Sequence, residues 1–157
     1  MRNILAATAL TLAVAMPASA QLRATKSLTL DGAKNIMAGA EAEARKNNWS
    51  MAYSIVDPAG NLVMFMKADD ARPSNVEFAL GKARTAARFQ RETRGLDSAV
   101  TAGRLQYLAA DALPIEGGVP IIVDGKVIGA VGVSGGTSAQ DAQVAKAGIA
   151  ALKLTVP

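Results

Sequence analysis

The residues of this sequence that can do chemistry are acidic, basic and hydroxyl side chains set among turn formers. Glu116 lies in Pro114-Ile115-Glu116-Gly117-Gly118, a loop that cannot continue a helix, and it is the best isolated general-base candidate. Its ordinary alternative is a solvated loop charge. Asp69, Asp70 and Arg72 stand between an extended run and a helix opened at Ser74, where loops carry side chains into clefts. Two carboxylates beside a guanidinium suit cation binding or proton transfer, and they suit a turn equally well. Lys82 sits beside a stripe of small residues, so its amine is placed to reach over a sheet rather than into bulk water. Arg84, Arg88 and Arg91 recur at i, i+4 and i+7, which puts three guanidinium groups on one helix face. That face fits a carboxylate, a haem propionate or an acidic partner, or a solvated surface paired with Glu77 or Glu92. Met64 and Met66 alternate on one sheet face, as soft haem-iron donors or as core filler, and Tyr53 and Tyr107 offer phenolate ligation.

The run from Gly129 to Gly136 looks like a phosphate loop, but its spacing fits neither GxGxxG nor GxxxxGK[ST]. A weaker reading survives. Ser134, Gly135 and Gly136 precede the last helix, whose free N–H groups and positive dipole end make a generic anion site. Otherwise these glycines simply let strand and helix pack. Absences narrow the field further. With no Cys and no His, the chain has no disulfide, thiol nucleophile, Ser-His-Asp triad, tetrahedral zinc site or CxxCH haem attachment, and no metal-ligand set is evident. A net charge of +4 from 17 basic and 13 acidic residues is mild, and 4% aromatics leave few rings to stack bases, which argues against nucleic acid.

Positioning these groups falls to a single domain over residues 21–157. Residues 1–20 read as a secretory signal: Arg2, an apolar run from Ile4 to Met16, then Pro17 and Ala18-Ser19-Ala20 before a cut at Gln21. The run is shorter than the roughly 20 residues of a spanning helix, so the mature chain is expected to be periplasmic or secreted without membrane insertion. An amphipathic helix is predicted over Leu30 to Lys46 with Thr29 as N-cap. Met51–Val56 and Leu62–Lys67 flank the turn residues Asp57 to Asn61 and should form a hairpin. Ser74 and Glu77 form a capping-box pattern opening a helix through about Phe89, with Ala79, Ala83, Ala86 and Ala87 as its packing stripe. Leu96 to Ala110 is a weaker helical segment. Val119–Val123 and Lys126–Val133 around Asp124-Gly125 mark a tight hairpin, and Gly129 and Gly132 suggest close packing on its second strand. Ser138 with Asp141 is a second capping-box pattern, opening a helix with Ala142, Ala145, Ile149 and Leu152 on its apolar face. The order implies an α/β (α+β) protein with an antiparallel sheet flanked by helices.

Together, Met66-Lys-Ala-Asp-Asp-Ala71, Ser74, Lys82-Ala-Arg-Thr-Ala86, Glu116-Gly-Gly-Val-Pro-Ile121 and Gly129-Ala-Val-Gly-Val-Ser-Gly135 with Asp141 downstream resemble the GlcG/HbpS family, from about Leu28 to Leu152. The resemblance implies a profilin-like fold, homo-oligomers (dimers or octamers) and, for some members, haem. This chain departs from a haem-binding pattern in lacking His, so haem would need Thr, Tyr, Met or Lys, or no strong axial bond. It also has Asp69-Asp70-Ala71 where the family usually has Asp-Gly-Ala. The leading expectation is a non-catalytic binding protein for haem or a related planar or anionic molecule. Its ligand-binding candidates are Asp69, Asp70, Ser74, Lys82, Arg84, Glu116, Gly117, Gly118, Ser134 and Gly135. One alternative is a small isomerase or lyase for a hydroxy- or oxo-acid, with Glu116 as base and Lys82 as stabiliser. Another is an accessory subunit of a secreted enzyme.

Overall fold

A computed structural model describes residues 25–153. The expected signal segment, residues 1–20, lies outside them. Thr29 caps the first helix, α1 (Leu30–Lys46), by accepting the Gly32 amide on its side chain, and Ala33, Ile36, Met37, Ala40 and Ala44 form its buried stripe. The first hairpin joins β1 (Ala52–Val56) to β2 (Leu62–Lys67). Its loop is organised by Asp57, whose Oδ1 accepts the Ala59 and Asn61 amides at 2.8 and 2.9 Å. The second hairpin joins β3 (Gly118–Val123) to β4 (Lys126–Ser134). Asp124 and Gly125 both have positive φ at its tip, as a two-residue turn matched to strand twist requires. Because β1 also pairs antiparallel with β4, the sheet order is β2-β1-β4-β3.

The two faces of the sheet are built differently. Tyr53, Ile55, Val131 and Val133 join α1 and the last helix, α4 (Ser138–Ala150), in the main hydrophobic core. On the opposite face α2 (Asn75–Phe89) lays Ala83, Ala86 and Ala87 on Val56 and Ala130. This approach is close enough that a Cβ on Gly132 would collide with the Ala79 carbonyl, which is why β4 carries glycine there.

Three local expectations are corrected. Ser74 stands at the start of α2 but makes no side-chain capping bond, since its own backbone is already helical. The capping box of α4 belongs to Thr137 and Gln140 rather than Ser138 and Asp141, because the Asp141 carboxylate turns inward. The helical segment after Phe89 is two pieces: α3 (Thr93–Thr101) and a 3-10 turn (Leu105–Ala109), broken where Gly103 takes a φ of 89°.

Candidate functional site

Lys82 does reach past the sheet, and it finishes in the interior. Its Nζ donates to Asp141 Oδ2 at 2.6 Å and to the Val133 carbonyl at 3.2 Å, and both side chains of the pair are only 3% exposed. The amine travels from the α2 layer to the start of α4 around the end of the sheet, beside Gly117. A Cβ on Gly117 would stand 2.9 Å from Nζ, so glycine keeps the passage open, and it does so at a φ of 123°. The other Asp141 oxygen, Oδ1, accepts the Gly136 amide at 2.9 Å. The anion site expected at Ser134-Gly135-Gly136 is therefore filled by the chain's own carboxylate. Burial pushes the Asp141 carboxyl above its ordinary value, against the pull of the Lys82 ammonium and of the Gly135 and Gly136 amides.

The outer side of α2 is open. There a cavity of about 400 Å³ lies between the helix and the segment Asp111–Leu113. Arg84 and Arg88 line it one helical turn apart, and Phe78, 39% exposed, and Leu113 supply apolar surface. The Leu113 amide donates to the buried Thr85 hydroxyl at 2.8 Å, which fixes that wall. Arg84 Nε donates to the Gly60 carbonyl at 3.2 Å, and Arg88 pairs with the exposed Asp111 at 2.8 Å. Neither arginine pairs with Glu77 or Glu92; Glu92 instead meets Lys146.

The remaining candidates are dispersed. Asp69 and Asp70 are exposed in the turn after β2, and Lys67 organises that turn by donating to the carbonyls of Ala68, Asp69 and Ala71. Glu116 lies in a separate cavity with Asp97 and Ser98, its Oε1 3.8 Å from Arg94 Nε and its backbone amide bonded to Asp97. Gly118 is anchored through both its amide and carbonyl to the buried Thr93 hydroxyl. Ser134 is buried at the end of β4 and Gly135 is exposed. The structure thus gathers Lys82, Gly117 and the Ser134–Gly136 turn, and separates them from Arg84, from Glu116 and from the Asp69–Asp70 turn. Met64, Met66 and Tyr53 pack with the α1 face, away from the α2 groove, and Tyr107 lies edge-on to Phe89 under Arg104.

Residues 28–150 match the family described as haem-degrading protein HbpS-like. The chain belongs to this family. Among its relatives, Protein GlcG of Escherichia coli K12 is 49% identical over 103 residues, which is 65% of this chain and 77% of GlcG. The crystal structure of a double mutant of HbpS from Streptomyces reticuli superposes with a TM-score of 0.78 at 28% identity, covering 89% of this chain and 99% of that one. A structure of the PduOC:haem complex superposes with a TM-score of 0.74 at 28% identity, over 80% and 95% of the two chains. The HbpS-like fold is therefore shared with a protein whose structure was solved with haem bound.

The residue that sequence reasoning missed in this HbpS-like domain is Asp141 as the buried counter-ion. One signal was available: Asp141 aligns with Ala145 and Gly148 on the face of α4 that packs inward, where a free carboxylate does not belong. Among the described residues there is no cluster of metal-ligating side chains, and no helix is long and apolar enough to cross a membrane.

Proposed function

We propose that the mature chain is an exported, non-catalytic binding protein for a planar, dianionic small molecule, with haem as the leading candidate. The observation that carries this reading is the α2 groove, where two guanidinium groups one turn apart border an apolar wall of Phe78 and Leu113. Haem presents matching chemistry: an apolar ring system with two carboxylates at one edge, suited to Arg84 and Arg88. The haem complex of PduOC supports the ligand class, and the leader-like residues 1–20 support export.

The groove offers carboxylate recognition and apolar contact, while the thioethers of Met64 and Met66 and the phenol of Tyr53 are on the other face of the sheet. Bound haem would supply its own iron redox chemistry; the chain supplies retention. Lys82 takes no direct part, since its protons are directed at Asp141 and Val133, and it acts by fixing α2, on which both arginines ride.

Titration of the protein from Gln21 onward with hemin tests the reading. A saturable Soret shift at one haem per subunit is expected, with affinity falling at least about tenfold in Arg84→Ala/Arg88→Ala as two charge-assisted contacts are lost. Absence of a shift beyond that of a non-binding control protein overturns the haem assignment.

A further inference from the structure

A second cavity, of about 500 Å³, lies on the opposite face of the sheet, between the C-terminal end of α1 and the start of the β2–α2 turn. Its apolar part is made by Tyr53, Met66 and Trp49. Tyr53 is only 2% exposed, yet among the described residues its phenol has no hydrogen-bond partner. The ring is enclosed while the phenol oxygen opens onto the cavity, and a donor that no protein group engages there marks a place for an acceptor. Burial, reinforced by the nearby Glu41 carboxylate, holds this phenol above its ordinary value, so it remains a neutral O–H donor throughout the physiological range.

The charges around the cavity are balanced. Arg45 pairs with Glu41 along α1, and a guanidinium has five N–H donors, so this contact leaves others for a second carboxylate. Lys67 has its three protons directed at backbone carbonyls, and its effect is to hold Asp69 at the rim. The Asp69 carboxylate pairs with no cation among the described residues.

We propose that this cavity binds a small zwitterion, an α-amino acid with an apolar side chain. Its carboxylate is received by the Tyr53 hydroxyl and Arg45, its ammonium by Asp69, and its side chain by Trp49 and Met66. A balanced rim discriminates against ions of either single sign, while an apolar floor with one neutral donor rewards a molecule carrying both charges at one end.

Trp49 is the only tryptophan in the sequence, so its fluorescence reports on this cavity alone. The protein from Gln21 onward would be titrated with L-phenylalanine, 3-phenylpropionate and phenethylamine, following Trp49 emission with calorimetry in parallel. Saturable binding of L-phenylalanine in the millimolar range or tighter is expected. It should exceed either single-charge analogue by at least tenfold and weaken at least fivefold in both Tyr53→Phe and Asp69→Asn. Tyr53→Phe keeps the ring in the core, so a matching unfolding midpoint separates loss of the donor from loss of the fold. No heat and no emission change with L-phenylalanine, or equal binding of 3-phenylpropionate, overturns the proposal. Unchanged affinity in Tyr53→Phe does so as well. Hemin binding at the α2 groove is read separately by its Soret band and stands or falls on its own.

Discussion

Lys82 and Arg88 stand six residues apart on the same helix, and their surroundings give two basic side chains opposite roles. Lys82 is enclosed at the end of the sheet with a dedicated carboxylate, a backbone carbonyl and a glycine that keeps its passage open. Arg88 lies on an open groove and meets Asp111, whose side chain is 92% exposed. A buried ion pair has surrendered its hydration, so each partner depends on the other; an exposed pair has kept most of its water and can be exchanged for a ligand. Charge along a helix face therefore says little about role until burial is known.

The strongest way to break this contrast is Lys82→Met, which leaves the Asp141 carboxyl buried without its cation. It should cost about 3–5 kcal/mol in denaturant unfolding, and Lys82→Met/Asp141→Leu should recover part of that loss. Should Lys82→Met unfold within about 1 kcal/mol of the parent, the enclosed pair is no different from the exposed one. Next in size is Gly132→Ala, which drives a Cβ into the Ala79 carbonyl and should cost about 1–3 kcal/mol by pushing α2 off the sheet.

Titration sharpens the contrast further. Burial holds the Asp141 carboxyl above its ordinary value of 3.8, so between that pH and the raised midpoint the folded chain binds more protons than the unfolded one. This group's contribution is greatest in acid and is lost as pH rises through the raised midpoint. Asp57 runs the other way: Asn61 holds its carboxyl below the ordinary value, so its contribution is present at neutral pH and lost as pH falls through the depressed one. Carboxyl carbon-13 shifts should show the two midpoints displaced on opposite sides of 3.8. The smallest expected effect is that of Arg88→Ala on folding, within about 1 kcal/mol, although the same change should weaken hemin binding. A large loss of stability in Arg88→Ala would show that Asp111 is a structural partner rather than an exchangeable one.

Much of the architecture is legible from local chemistry. Thr29 and the Asp124-Gly125 turn specify their elements through contacts within a few residues, the alanine stripe of α2 marks its packing face by helical spacing, and the structure follows all three. The reach of Lys82 over the sheet is also legible, because it stands beside the small residues of the α2 packing stripe. Its destination is not, because Asp141 lies 59 residues away and sits where a helix start has its own use for an acid. The same competition misassigns the cap: Thr137 and Gln140 take that task, which frees Asp141 to turn inward. Likewise Gly103 divides the segment after α2, where the periodicity alone suggests one helix.

The bond from Lys82 to Asp141 also bears on how the molecule opens. It ties α2 to the start of α4, two helices that pack on opposite faces of the sheet. Detaching either layer would strand a charge in the interior. Transient openings that would otherwise release α2 or α4 singly are therefore suppressed, and the amides of both helices should exchange with solvent through one shared event.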